Sequence, residues 1–220
     1  LMVKVERSFP APASLEVEAK KPSGSYSEQD VVEQLKKDFH DKCYICEIKN
    51  LQDPQVEHRL PHKNGKYPDR KFDWNNLFWA CGHCNNVKNQ GKYDEGIIDC
   101  CREDPEAQII FRLKNGSVDI IARNQEDSKA VLTASLVWEV FNKKNTGMRV
   151  LKSEMRFQEL NKEMNVLYDN LEKIKTKPES KVVLRTLKAL LRRESPFAAF
   201  KRNYIRENAE QFPQLLQYIL

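Results

Sequence analysis

Cys43-Tyr-Ile-Cys46 and Cys81-Gly-His-Cys84-Asn-Asn-Val-Lys88 decide how this chain of 220 residues folds. Two Cys-x-x-Cys knuckles can bring four thiolates to one tetrahedral zinc ion, with no coordination position left open for chemistry. Between the knuckles lie Val56-Glu-His-Arg-Leu-Pro61 and Asp73-Trp-Asn-Asn-Leu77. Residues held between two metal knuckles can form a second site, and these two segments carry the polar groups for one.

A disulfide framework is the competing reading of the cysteines. Six cysteines in 220 residues is sparse for a secreted scaffold. The N-terminal stretch is charged and lacks the apolar core of a signal peptide. No apolar run has the length of a membrane span. The expectation is a cytoplasmic protein, with no membrane contact, whose Cys43, Cys46, Cys81 and Cys84 hold structural zinc. Cys100 and Cys101 are left over and read as packing thiols.

Outward from the knuckles the pattern is α+β. Val31, Val32, Leu35 and Phe39 recur at helical spacing, with Ser27 as a candidate cap. Residues 2–26, with Pro10, Pro12, Pro22 and Gly24, read as an extended lead-in. Gln55 to Leu60 and Leu77 to Ala80 read as strands, and Asn85 as the start of a helix. Asn115-Gly116 between Ile109-Ile-Phe111 and Val118-Asp-Ile-Ile121 predicts a hairpin. Beyond it the spacing turns helical. One helix carries Val131 to Phe141, a longer one Leu160 to Ile174, and a third Val183 to Leu191, with Lys177-Pro178 ending the second. The division predicted is 1–125 for a zinc-stapled unit with its lead-in and hairpin, and 126–220 for a mainly helical region.

Charge divides the same way. Residues 126–220 hold 18 Lys/Arg against 12 Asp/Glu, and residues 1–125 hold 19 against 20. Lys181, Arg185, Lys188 and Arg192 form a stripe on the third helix. Such a stripe is either a solvated face or a phosphate-binding one. The apolar end, from Phe212 to Leu220, either docks on the chain's own helices or meets another protein.

Phosphodiester hydrolysis needs a base for the attacking water and a divalent cation for the developing charge. A neutral histidine suits the first role. A carboxylate and an amide oxygen suit a hard cation such as Mg²⁺. The chain offers His58 beside Glu57, an amide pair at Asn75 and Asn76, and Asn85 and Lys88 one helical turn apart. In a regular strand Glu57 and His58 point to opposite sides.

These residues resemble the HNH endonucleases, with their ββα-metal fold. That family runs an acidic residue or His, then His, then Pro; next Asn-Leu; then Cys-x-x-Cys-Asn-x-x-Lys. This chain has Glu57-His58, Pro61, Asn76-Leu77 and Cys81-x-x-Cys84-Asn85-x-x-Lys88, with Cys43-x-x-Cys46 upstream. Glu57 departs from the commoner Asp or His. The resemblance covers about residues 41–92. It implies His58 as general base, Glu57 and Asn85 as holders of Mg²⁺ or Mn²⁺, Asn76 as the residue orienting His58, and Lys88 against phosphate.

The flanks resemble the HNH proteins of Septu-type and retron-linked anti-phage systems. The stretches concerned are Met2-Val-Lys-Val-Glu-Arg-Ser with Pro10, Asp99-Cys-Cys-Arg-Glu-Asp-Pro105, and Ser195-Pro-Phe-Ala-Ala-Phe-Lys-Arg202. That narrower resemblance implies an effector nuclease acting on DNA, or on RNA such as tRNA, beside a partner ATPase of the ABC/SMC-like class. The chain has no Walker A motif, so ATP use falls to the partner. Two other readings compete: a non-catalytic zinc module that binds nucleic acid or protein, and a stand-alone restriction-type endonuclease.

Overall fold

The segment between and after the two cysteine knuckles folds as strand, strand, helix. The computed structural model describes residues 2–142 and 146–219. In chain order, α1 spans Ala13–Glu18, α2 Gln29–Asp38, β1 Pro54–His58, β2 Leu77–Cys81 and α3 Gly82–Lys88. Then come α4 (Pro105–Gln108), β3 (Ile109–Lys114), β4 (Ser117–Ala122), α5 (Ser128–Asn142), α6 (Gly147–Thr176), α7 (Lys181–Leu190) and α8 (Ala198–Glu207). The class is α+β, with two small antiparallel sheets.

β1 pairs with β2 so that Glu57 faces Phe78 and His58 faces Leu77 across the ladder. β2 is buried along its whole length, which suits its run of Leu77-Phe-Trp-Ala-Cys81. It runs straight into α3, three residues earlier than the polar Asn85 suggested, because Cys81 already caps the helix in extended geometry. The second hairpin turns where expected, with Lys114 opposite Ser117 and Gly116 at φ +79°. Glycine alone adopts that conformation without strain.

The helix ends follow capping chemistry. Asp104 accepts from the Glu106 amide ahead of Pro105, Thr146 from Arg149, and Ser180 from Val183. Ser27 is not a cap: α2 starts after Glu28, with no side-chain cap. The predicted extended lead-in is also corrected. It contains α1, and Met2, Val3, Val5 and Leu15 are buried in the core.

α8 went unpredicted because its buried face includes charge. Lys201, Arg202 and Asn203 are all buried, which hides the apolar period. Lys201 pairs with Glu163 at 2.9 Å and Arg202 with Glu106 at 2.8 Å. Such pairing is what makes an interior charge tolerable.

One cluster of buried apolar residues runs from Met2 to Ile219, across the 125/126 boundary. Polar contacts cross it too. Lys42, beside the first knuckle, pairs with Glu47 at 2.7 Å and donates to the Ser195 carbonyl at 2.9 Å. Glu47 accepts from the Ala199 amide at 2.9 Å. The apolar end packs on its own chain: Phe212, Leu215 and Ile219 are buried, and Arg202 donates to the carbonyls of Tyr218 and Ile219.

Candidate active site and metal centre

The four knuckle cysteines converge as their spacing predicts. Their Sγ atoms all lie within 4.8 Å of one another, and all four residues are buried. Zn–S bonds of about 2.3 Å place tetrahedral sulfurs about 3.8 Å apart, so this donor set fits zinc. Cys46 and Cys81 already stand at 4.0 Å. No other such group of three or more His, Cys, Asp or Glu exists among the described residues.

Arg156, on α6, reaches this centre. Its Nη2 lies 2.9 Å from Cys81 Sγ, and its Nη1 donates to the Lys152 carbonyl at 2.8 Å. Hydrogen bonds from the other three thiols and the Arg156 charge hold Cys81 far below the ordinary thiol range, whereas burial raises Cys46 and Cys84. Four thiolates around a divalent ion carry a net double negative charge, and a guanidinium offsets part of it. Sequence reading missed Arg156. The signal was there, because Arg156 continues the buried register of Leu160, Met164 and Leu167.

His58 ends β1. Its Nε2 lies 3.0 Å from the Lys71 carbonyl. A carbonyl only accepts, so Nε2 carries the proton and Nδ1 keeps the lone pair. Nδ1 has no hydrogen-bond partner among the described residues. Burial holds the His58 pKa below its ordinary value, which keeps the ring neutral near pH 7.

Asn76 does not touch the imidazole. Its Nδ2 donates to the carbonyls of Leu60 at 2.8 Å and Arg70 at 2.9 Å, and its Oδ1 accepts from the Leu60 amide at 2.8 Å. It therefore ties the loop between β1 and β2 at Leu60 and at Arg70, the residue before the Lys71 carbonyl that meets His58. The expected orienting role would have to act through this loop backbone, since no hydrogen bond joins Asn76 to His58 among the described residues.

Glu57, His58, Asn85 and Lys88 all line one cleft of about 650 Å³, so the alternation of β1 does not separate Glu57 from His58. The Glu57 carboxylate is engaged on both oxygens. Oε1 lies 2.6 Å from Lys88 Nζ, and Oε2 accepts from Tyr44 Oη at 2.6 Å. Lys88 also donates to the His58 carbonyl at 3.0 Å. The expected phosphate contact of Lys88 thus meets a different placement: the ammonium is buried against Glu57. Asn85 donates to Gln55 Oε1 at 2.7 Å, which leaves its own amide oxygen free for a cation. In this arrangement the Glu57 carboxylate is taken up by Lys88 and Tyr44, so a cation there would have to displace Lys88.

Lys181, Arg185 and Lys188 are exposed on α7, and Arg192 is exposed just past its end. None of the four lines the His58 cleft. His83 is structural: it is buried, contacts the Val140 carbonyl at 3.1 Å, and is held neutral by burial, at a pKa of about 4. Tyr26 and His62 complete the cleft wall. Tyr26 carried no signal, since it lies far from the knuckles in sequence. No helix is long and apolar enough to cross a membrane among the described residues.

No family model matches this chain, and no curated protein matches it either.

Proposed function

We propose that the chain is a metal-dependent endonuclease that hydrolyses phosphodiester bonds in nucleic acid. One observation carries this reading: His58, with Nε2 committed to a carbonyl and Nδ1 free, stands in a cleft with Asn85 and Glu57, on a strand–strand–helix unit that the four cysteines can staple. That geometry suits a general base.

In this reading Nδ1 takes a proton from a water as the water oxygen bonds to phosphorus. The Lys71 carbonyl keeps the ring in one tautomer, and Asn76 holds the neighbouring Arg70 carbonyl. Mg²⁺ or Mn²⁺ at Glu57 and Asn85 would neutralise charge on the phosphate and leaving oxygen. The resemblance of the flanks extends the proposal to a cytoplasmic anti-phage effector working beside an ABC/SMC-like ATPase. The α7 stripe then serves nucleic-acid affinity, not chemistry.

The test is incubation of the purified chain, alone and with its genomic ATPase neighbour, with DNA and with total RNA in Mg²⁺ or Mn²⁺. Metal-dependent cutting that is lost in His58→Ala supports the reading. No cutting under any of these conditions sinks it. The alternative, a non-catalytic zinc module, draws on the Glu57–Lys88 pair, which satisfies the carboxylate without a metal. It is the reading left if binding occurs without cleavage.

A further inference from the structure

The cleft wall holds two imidazoles. His62 follows His58 by one short step of loop, and their ring centroids lie 4.8 Å apart at an interplanar angle of 66°. Tyr26 packs edge-on against both, at 4.5 Å from His58 and 6.2 Å from His62. The loop restrains His62. Its carbonyl accepts from the Tyr67 amide at 3.1 Å, and the carbonyl of Pro61 accepts from Arg70 at 3.3 Å. Asn76 clamps Leu60 just before it.

The ring itself is left unsatisfied. His62 Nδ1 is buried and has no hydrogen-bond partner among the described residues. A buried N–H is rarely left without an acceptor, so the ring proton falls to Nε2, which has no hydrogen-bond partner among the described residues and belongs to a ring that lines the cleft. The charged neighbours are already paired, Asp94 with Lys63 at 2.7 Å and Lys88 with Glu57 at 2.6 Å.

We propose that His62 is a second catalytic residue, donating a hydrogen bond to a non-bridging oxygen of the scissile phosphate while His58 activates the water. The inference rests on the nuclease reading above. In an in-line displacement the attacking and leaving oxygens lie on opposite sides of phosphorus, and charge spreads over the equatorial oxygens. A donor beside the base on one wall reaches an equatorial oxygen. It does not reach the leaving oxygen, which departs on the far side. The water proton passes to His58 Nδ1 and a new O–P bond forms. The P–O bond to the sugar breaks, its electron pair stays on that oxygen, and the oxygen takes a proton from solvent water. His62 keeps its proton throughout.

The test compares His62→Ala and His62→Gln with the unaltered chain, on a nucleic acid that the unaltered chain cuts. Zinc content serves as the check on folding. The substrates carry oxygen or sulfur at each non-bridging position of one phosphate. Loss of one preorganised donor costs roughly 10²-fold in kcat. The expected result is that loss in His62→Ala, with substantial recovery in His62→Gln, whose amide can donate. Sulfur at one of the two positions slows the unaltered chain and adds little to His62→Ala. A His62→Ala chain that cuts at the unaltered rate, or keeps the full sulfur effect, overturns the inference and leaves the nuclease reading standing. If the unaltered chain cuts nothing, the nuclease reading falls first and this inference with it.

Discussion

Lys88 and Glu57 form a closed ion pair beneath the His58 backbone, at 2.6 Å, with both side chains 5% exposed. The pair joins α3 to β1 and is completed by Tyr44, so the first knuckle segment, the strand and the helix share one buried charge. Removing one partner of such a pair strands the other in low dielectric. Lys88→Ala is therefore expected to destabilise the fold by about 3–5 kcal/mol, and Lys88→Met with Glu57→Gln by much less. Urea unfolding of the single and double variants measures this. Equal losses in both would mean that the stranded charge is not what destabilises the single variant.

His58→Ala is expected to lower the cleavage rate roughly 10²- to 10⁴-fold while zinc content and melting temperature stay near those of the unaltered chain. The acid limb of the pH–rate profile follows from the direction of the His58 shift. On the nuclease reading His58 works deprotonated, and burial lowers its pKa, so activity is expected to persist below the ordinary histidine pKa of about 6.5 before falling. A limb centred above that value would assign the base elsewhere.

Arg156→Ala is expected to weaken zinc binding about 10- to 100-fold, the usual range for removal of an outer-shell partner. Competition with a coloured chelator reads this directly. Arg156→Lys tests charge against geometry, because an ammonium keeps the charge but lacks the planar fork that also holds the Lys152 carbonyl.

Reversing charge at Lys181 and Arg185 is expected to weaken nucleic-acid binding and to reduce its salt slope by about one for each phosphate no longer neutralised. Both are exposed and lie outside the His58 cleft, so cleavage at saturating substrate should hold. An unchanged salt slope would mark the stripe as a solvated face.

Phe212→Ala is expected to cost about 3–5 kcal/mol, because Phe212 is 1% exposed and packs within the core. Deletion of residues 212–220 should then yield an unstable chain, measurable as a drop in soluble protein or a lowered melting temperature. A truncated chain of full stability would return the apolar end to the role of a partner surface.

The knuckles were legible because four thiols at short, fixed spacings leave little choice of geometry. The strands and the hairpin were legible for a similar reason: Leu77-Phe-Trp-Ala80 and Asn115-Gly116 act locally. What the sequence hid depends on contacts between distant segments. Lys88 reads as a phosphate contact until Glu57 is seen beside it. Lys201 and Arg202 break an apolar period because their partners, Glu163 and Glu106, come from elsewhere in the chain. His62 lies four residues beyond His58 in a polar loop, and only the fold sets its ring against His58.

The bond from the Ala199 amide to Glu47 spans 152 residues of chain. A polypeptide made from its N-terminus exposes both cysteine knuckles long before α8 leaves the ribosome. Lys42 and Glu47 must wait, satisfied only by each other, for Ser195 and Ala199 to arrive. Completion of the first knuckle's surroundings is thereby tied to the arrival of α8, and a chain broken off before it lacks the partners that Lys42 and Glu47 find at Ser195 and Ala199.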